Sequence, residues 1–330
     1  MKVWLPLIET RSGSTVFVER MADWLGRNGH EPVLQRFPHA CQYAPGLLRL
    51  TKAPKGTEAV LTNSWNGFAF HRKGLRSVCV EHLFVLDPEL DPYKSFAQST
   101  FHKFMVGRFI ARSYRSADRV VAVSAYTAGQ IRSRFPDVAA EVNLNGVDVD
   151  RFAPSAEARE DGPFRLLFAG NATIRKGADL LAPIMEQLGE QFELRLTASA
   201  SDLPALAGRN NVHFLGRLSP QEMERELRYC DALLAPTRME GLPLVVLEAM
   251  ACGLPVLASN SPPIAEAVVD GETGIISPMD SVDAFCEAAR RLADDPALAR
   301  GMSENARFHA VEHFSFERTA RRYVGLLGGA

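Results

Sequence analysis

Short apolar runs alternate with amphipathic stretches along most of the chain, and this alternation constrains the fold more than any other feature. Residues 2–8, 31–36, 59–62, 77–81 and 119–124 have the length and composition of strands, whereas 15–28, closed by Gly29, and 125–135 have helical periodicity. Such alternation implies parallel sheets covered by helices. The rhythm breaks over 150–163, where Pro154, Ser155, Gly162 and Pro163 interrupt a polar stretch. It restarts with strand 164–170, helix 178–188, strands 192–198 and 211–215, helix 219–230, and strands 232–235 and 255–258. The sequence therefore predicts an α/β protein of two Rossmann-like, doubly wound domains, residues 1–153 and 164–312, joined by a linker at 154–163. Ser219-Pro220-Gln221-Glu222 has the pattern of a capping box.

Size and composition fit this division. A chain of 330 residues suits two domains of about 150 residues each. With 46% hydrophobic and 23% charged residues it can fill two cores. A net charge of -2 argues against nucleic acid as a general partner. Cys41, Cys79, Cys230, Cys252 and Cys286 are scattered and never at Cys-x-x-Cys spacing, which suits reduced packing thiols rather than disulfides or a zinc site. The apolar start lacks a basic leader, and no apolar run reaches the roughly 18 residues of a membrane span. The expected location is cytoplasmic, with peripheral contact at the inner membrane face as an option.

Two segments carry candidate chemistry. Glu240 and Glu248 stand eight residues apart in Glu240-Gly241-Leu242-Pro243-Leu244-Val245-Val246-Leu247-Glu248-Ala249-Met250-Ala251-Cys252-Gly253. Pro243 suits the first position of a helix and Gly253 its stop, so one carboxylate lies in the entering loop and the other on the second turn. Buried carboxylates need donors, which a sugar or a ribose supplies. The N–H groups and dipole at the helix start favour a phosphate. Upstream, Arg175-Lys176-Gly177 follows the strand that ends in Phe168-Ala169-Gly170-Asn171, at the carboxyl edge where open α/β sheets bind ligands. Arg175 can pair with two phosphate oxygens while Lys176 adds a point charge. A solvated turn is the plainer reading of this pair.

Together these segments resemble the retaining glycosyltransferases of family 4. The resemblance implies the GT-B architecture, two Rossmann-like domains facing a central cleft, with residues 313–330 forming a helix that returns to the N-terminal domain. It also implies that Glu240 holds the donor sugar, that Glu248 holds the ribose, and that Arg175 and Lys176 neutralise the donor's diphosphate. Gly241, Leu242, Leu244 and Val245 would surround the donor. Family members commonly carry Gly-Phe-Gly after the first Glu, and here Gly241-Leu242-Pro243 replaces it, removing a backbone donor at Pro243. Gly13 matches a loop that touches donor and acceptor, although a simple turn explains it equally well. His82 matches a histidine near the transferred sugar, with a buried structural histidine as the alternative. Arg217 is a candidate near the base.

Other segments admit a structural or a functional reading. Asn145-Gly146 is a turn signal. Asp148-Val149-Asp150 superficially matches a metal-binding motif but lies in a turn, so neither a catalytic metal nor a cofactor is expected. Trp65 either stacks on an acceptor sugar or packs in its loop. A helix over 96–119 carries Phe101, Met105, Phe109 and Ile110 beside Lys103, Arg108, Arg112, Arg115 and Arg119, and it either covers the sheet or docks on anionic lipid.

The resemblance implies metal-independent hexosyl transfer, with retention, from a nucleotide-diphosphate sugar such as a UDP sugar. The acceptor would be a saccharide or glycolipid hydroxyl in polysaccharide, lipopolysaccharide or glycolipid synthesis. Rival readings are a GT-B nucleotide-sugar epimerase and a non-catalytic nucleotide-sugar-binding partner. No Gly-x-Gly-x-x-Gly follows the first strand, which sets a nicotinamide-dependent oxidoreductase aside.

Overall fold

A computed structural model describes residues 1–10, 12–155 and 162–328. Arg11, beside the Gly13 loop, and 156–161, most of the expected linker, lie outside the described residues. The chain divides into two compact units, residues 1–145 with those from 317 onward, and residues 146–316. The division falls between Asn145 and Gly146, ahead of the proline-containing stretch; the turn expected there is not formed.

In the first unit the chain runs β1 (Lys2–Ile8), α1 (Gly13–Arg27), β2 (Glu31–Phe37), β3 (Ala59–Asn63), β4 (Arg76–Glu81), α2 (Phe96–Phe101), α3 (Gly107–Ser116), β5 (Arg119–Ala122), α4 (Ala125–Arg134) and β6 (Ala140–Val142). The strands form one parallel sheet in the order β2-β1-β3-β4-β5-β6. Nearly every residue of β1 is buried, as expected for a strand covered on both faces. Helix α1 turns Phe17, Val18, Met21, Trp24 and Leu25 inward, a single helical stripe. The C-terminal helix Phe316–Gly328 packs here from Glu317 onward: Tyr323 lies edge-on to Phe17 at 5.3 Å, the Trp24 indole donates to Glu317, and Asn143 Nδ2 donates to the Thr319 carbonyl at 3.2 Å.

The single helix expected over 96–119 is instead α2, a π-helical turn at His102–Val106, and α3, ending at Ser116. A π turn carries an extra residue and rotates the helix face. Ile110 therefore remains buried while Phe104 and Met105 point to solvent.

In the second unit the order is β7 (Phe164–Phe168), α5 (Leu181–Leu188), β8 (Phe192–Leu196), β9 (Val212–Phe214), α6 (Pro220–Tyr229), β10 (Ala232–Ala235), α7 (Leu244–Ala251), β11 (Val256–Ser259), β12 (Gly274–Ser277), α8 (Val282–Asp294) and α9 (Pro296–Phe314). Its parallel sheet is ordered β12-β11-β10-β7-β8-β9. The predicted capping box is formed at the start of α6. From β7 the chain winds outward through β8 and β9, then crosses back to β10 and winds the other way. The loops after β7 and β10 consequently leave adjacent strands at the topological switch point, where open α/β sheets bind ligands. Fully buried β7, the apolar faces of α5 and α8, and the almost wholly buried α7 provide a rigid base beneath those loops. No described helix is long and apolar enough to cross a membrane.

Candidate active site

The loop after β7 makes a 3-10 turn, Ile174–Lys176, before Gly177 and a second 3-10 turn, Ala178–Leu180, which leads into α5. Two glycines shape it. Gly170, at φ +143°, leaves room for the Lys176 side chain, because a Cβ there would stand 2.9 Å from Lys176 Nζ. Gly177 has φ +72°, and a Cβ on it would fall 2.1 Å from the Pro236 carbonyl oxygen. The turn is thereby pressed against the loop after β10.

That contact joins the two candidate segments. Glu240 Oε1 lies 3.1 Å from Arg175 Nη1 and 2.9 Å from Lys176 Nζ. Both cations therefore pair with one and the same carboxylate oxygen. Burial alone would raise the pKa of this carboxyl, but the positive charges of Lys176 and Arg175 outweigh it and hold the pKa below the usual carboxylate range. Glu240 is thus ionised at neutral pH and suited to accept from hydroxyls. Arg175 Nη1 also donates to the Met239 carbonyl. Lys176, Glu240, Pro243, Val245 and Val246 line a small cavity of about 20 Å³.

Helix α7 starts at Leu244, with Pro243 as its N-cap rather than its first residue. Proline has no side-chain acceptor, and no side chain caps this helix. Its first N–H groups, on Leu244 and Val245, remain available to an anion. Gly241 and Leu242 are buried in the approach. Glu248 is buried on the second turn of α7 and is not among the residues lining the cavity with Glu240. Arg217 is exposed on the loop after β9, the edge strand, two strands from β7.

Sequence reasoning missed Arg238. Its guanidinium forks onto Asp179, with Nη1 to Oδ1 at 2.7 Å and Nη2 to Oδ2 at 2.8 Å, while Nε donates to Asp280 Oδ1 at 2.6 Å. Nη1 also donates to the Ile174 carbonyl. These partners lie 59, 42 and 64 residues away in sequence, so no local pattern reveals them.

The remaining candidates belong to the first unit. Gly13 opens α1, whose N-cap Ser12 makes no side-chain capping bond. His82 follows β4 with its ring edge-on to Phe17 at 4.9 Å. Burial takes its pKa down to about 4, so the imidazole is neutral above that pH. The preceding Glu81 is buried and accepts from the Tyr114 hydroxyl at 2.7 Å. Burial pushes its pKa up to about 7, against the opposing hydrogen bonds from Tyr114, Ser64 and the backbone of Leu83 and His82. Trp65 lies edge-on to His102 at 5.3 Å and packs, partly buried, on the cluster around Phe84 and Ile110. Asp148 receives the Arg151 N–H at 3.1 Å within a turn.

Two family models match the chain: Glycosyltransferase Family 4 over residues 32–151, and Glycosyl transferases group 1 over residues 150–309. The chain belongs to glycosyltransferase family 4. It is 31% identical to the GDP-mannose-dependent alpha-(1-6)-phosphatidylinositol monomannoside mannosyltransferase of Mycolicibacterium smegmatis, over 67% of this chain and 64% of that protein. To the glycogen synthase of Mycobacterium tuberculosis H37Rv it is 29% identical, over 62% of this chain and 53% of the relative. The chain thus spans between about half and two thirds of the length of these curated relatives. Among solved structures, sucrose-phosphate synthase from Thermosynechococcus elongatus superimposes with a TM-score of 0.83 at 20% identity, covering 100% of both chains. Anabaena HepE in complex with UDP and glucose gives 0.80 at 16% identity, again over 100% of both chains. These likenesses establish the GT-B fold.

The buried groups around β4 give the stability a defined pH response. His71, His82 and His102 all have pKa values lowered by burial from 6.5 to about 4, so their contribution is lost as pH falls through that window. Glu81 is raised from 4.5 to about 7, so its contribution is present in acid and lost as pH rises through that window. The two effects oppose each other. In Glu81→Gln only the histidine effect remains, and urea midpoints are expected to fall more steeply between about pH 7 and pH 5 than in the wild type. Parallel profiles for the two proteins would contradict this assignment.

Proposed function

We propose that this protein transfers a hexosyl group from a nucleotide-diphosphate sugar to an acceptor hydroxyl with retention of configuration and without a metal ion. The observation that carries the reading is the meeting of Arg175, Lys176 and Glu240 at the switch point of the second sheet. Two cations face one carboxylate there, so a net positive charge remains for a diphosphate. The first N–H groups of α7 add donors to the same anion. When the diphosphate takes up the cations, Glu240 is released to accept hydrogen bonds from sugar hydroxyls. Glu248 holds the ribose, and Arg217 stands at the margin of the donor.

Chemically, the bond between the anomeric carbon and the phosphate oxygen breaks while the acceptor oxygen bonds to the same face of that carbon. The acceptor's proton passes to the departing phosphate oxygen. Negative charge grows on the diphosphate as the bond breaks, so preorganised cations stabilise the transition state more than the ground state. This route needs no separate general base. The nucleotide is read as UDP; the mannosyltransferase relative's name specifies GDP-mannose, and HepE carries UDP. Saccharides and glycolipids of polysaccharide or lipopolysaccharide synthesis are the acceptor class.

A membrane-facing role for the first unit is supported by its exposed apolar groups. Leu47, Leu50, Phe96 and Phe104 are exposed by 72%, 85%, 90% and 54%. Tyr43 and Phe101, whose rings lie 6.0 Å apart, join the two segments that carry them. Arg49, Lys52, Lys103 and Arg108 are exposed alongside. Apolar anchors among cations match an anionic bilayer surface.

Lys176→Ala is expected to lower turnover by about 2–4 kcal/mol of transition-state stabilisation, read as donor consumption in the presence of acceptor. Wild-type activity is expected to survive excess chelator. Normal turnover in the variant, or loss on chelation with recovery on manganese, would contradict the proposal; epimerised donor in the absence of acceptor would favour an isomerase. In sedimentation with vesicles, the protein is expected to bind phosphatidylcholine mixed with phosphatidylglycerol at low salt and not phosphatidylcholine alone. Leu50→Ser combined with Phe96→Ser should weaken that binding, and indifference to anionic vesicles would remove the membrane role.

A further inference from the structure

Arg238 is a buried cation within one loop of the candidate donor site, yet its geometry is not that of a ligand-binding arginine. Its side chain is only 7% exposed. Of the five guanidinium N–H groups, four are engaged: one by Asp280, two by Asp179 and one by the Ile174 carbonyl. The backbone adds to this, since Arg238 N donates to the Arg175 carbonyl at 2.9 Å and Ser261 Oγ donates to the Arg238 carbonyl at 3.2 Å. One residue therefore ties together the loops that follow β7, β10, β11 and β12.

The carboxylates show the same organisation. Asp179 lies just past Gly177, and its hydrogen bond to Arg238 holds its pKa below the usual range. Asp280, beyond β12, has φ +64°, the single non-glycine residue in left-handed backbone among the described residues. Such a conformation persists where the surroundings fix it. The Asp280 carboxylate pairs with Arg238 Nε at 2.6 Å. The two acids also offset the charge of Arg238, which would otherwise stand as a third cation behind Arg175 and Lys176.

We infer that Arg238, held by Asp179 and Asp280, is a positioning residue that sets the Ile174–Lys176 turn at the spacing where both of its cations meet the donor's diphosphate. The inference rests on the nucleotide-sugar reading. Its consequence is selective, because a turn that relaxes by a fraction of an ångström loses contact with the diphosphate while leaving the nucleoside end untouched.

The test compares nucleosides with nucleoside diphosphates. UDP, GDP, uridine and guanosine are titrated into the wild type and into Asp179→Asn/Asp280→Asn and Arg238→Lys, with unfolding midpoints measured alongside. Asparagine tolerates left-handed backbone, and both acids are partly exposed, so the double variant keeps its fold even if Arg238→Lys does not. In each folded variant, affinity for the diphosphate that the wild type binds is expected to fall about tenfold, in the double variant despite the two negative charges removed, with nucleoside affinity unchanged. Lysine is not expected to restore it, because a point charge cannot bridge both acids and the carbonyl. Wild-type diphosphate affinity in folded variants overturns the inference, as does an equal loss for nucleoside and diphosphate. A wild type that binds neither UDP nor GDP defeats the nucleotide-sugar reading itself, and the positioning role with it.

Discussion

A single carboxylate oxygen shared between two cations organises the second unit of this protein. Glu240 Oε1, on the loop after β10, touches both Arg175 and Lys176, which reach it from the loop after the neighbouring strand β7. A buried carboxylate without partners would be protonated or excluded from the fold. With two partners it stays ionised and leaves the cluster one positive charge in excess. That excess is poorly explained by stability, since buried ion pairs tend to break even against apolar packing. It is well explained by an anion that arrives from solution, and the uncapped start of α7, with its free N–H donors, points to the same class of ligand.

The backbone makes the contact possible. The switch between β7 and β10 places the two loops side by side, and glycine lets them close. At Gly177 a side chain would overlap the Pro236 carbonyl, and at Gly170 it would displace Lys176. Arg238 then locks the pressed loops from behind through Asp179 and Asp280. Charge, backbone shape and ion-pair locking are thus one arrangement: none of the three would place the cations correctly alone. The first unit shows a different balance, with buried neutral histidines and a Glu81 whose pKa burial raises to about 7, just before His82.

Much of this was legible in the chain. Alternating patterns located the strands from β1 to β11, except the short β6, because buried parallel strands are apolar runs bounded by turns. The pairing of Arg175 and Lys176 with Glu240 followed from motif resemblance and from the rule that ligands bind at strand ends. Other parts were not read. Residues 260–315 hold β12, α8 and α9, which the sequence reading left unnamed: α9 has no strong apolar face, whereas the stripe of Phe285, Cys286, Ala288, Ala289 and Leu292 in α8 is periodic and was missed. The π turn at His102–Val106 leaves no periodic signature, so the register shift that exposes Phe104 and Met105 was hidden. Arg238 reads as an ordinary surface cation until Asp179 and Asp280, distant in sequence, are brought to it. The expected helix start at Pro243 moved by one residue because proline serves as the N-cap here.

The central claim is that the Arg175–Lys176 turn and Glu240 together grip the diphosphate and sugar of an activated saccharide. A crystal structure of the protein soaked with UDP and with GDP tests it most directly. The account predicts that the bound nucleotide's diphosphate oxygens lie at about 3 Å from Arg175 and Lys176, beside the start of α7. A nucleotide bound elsewhere on the protein, with the Glu240–Lys176 contact intact, would contradict it.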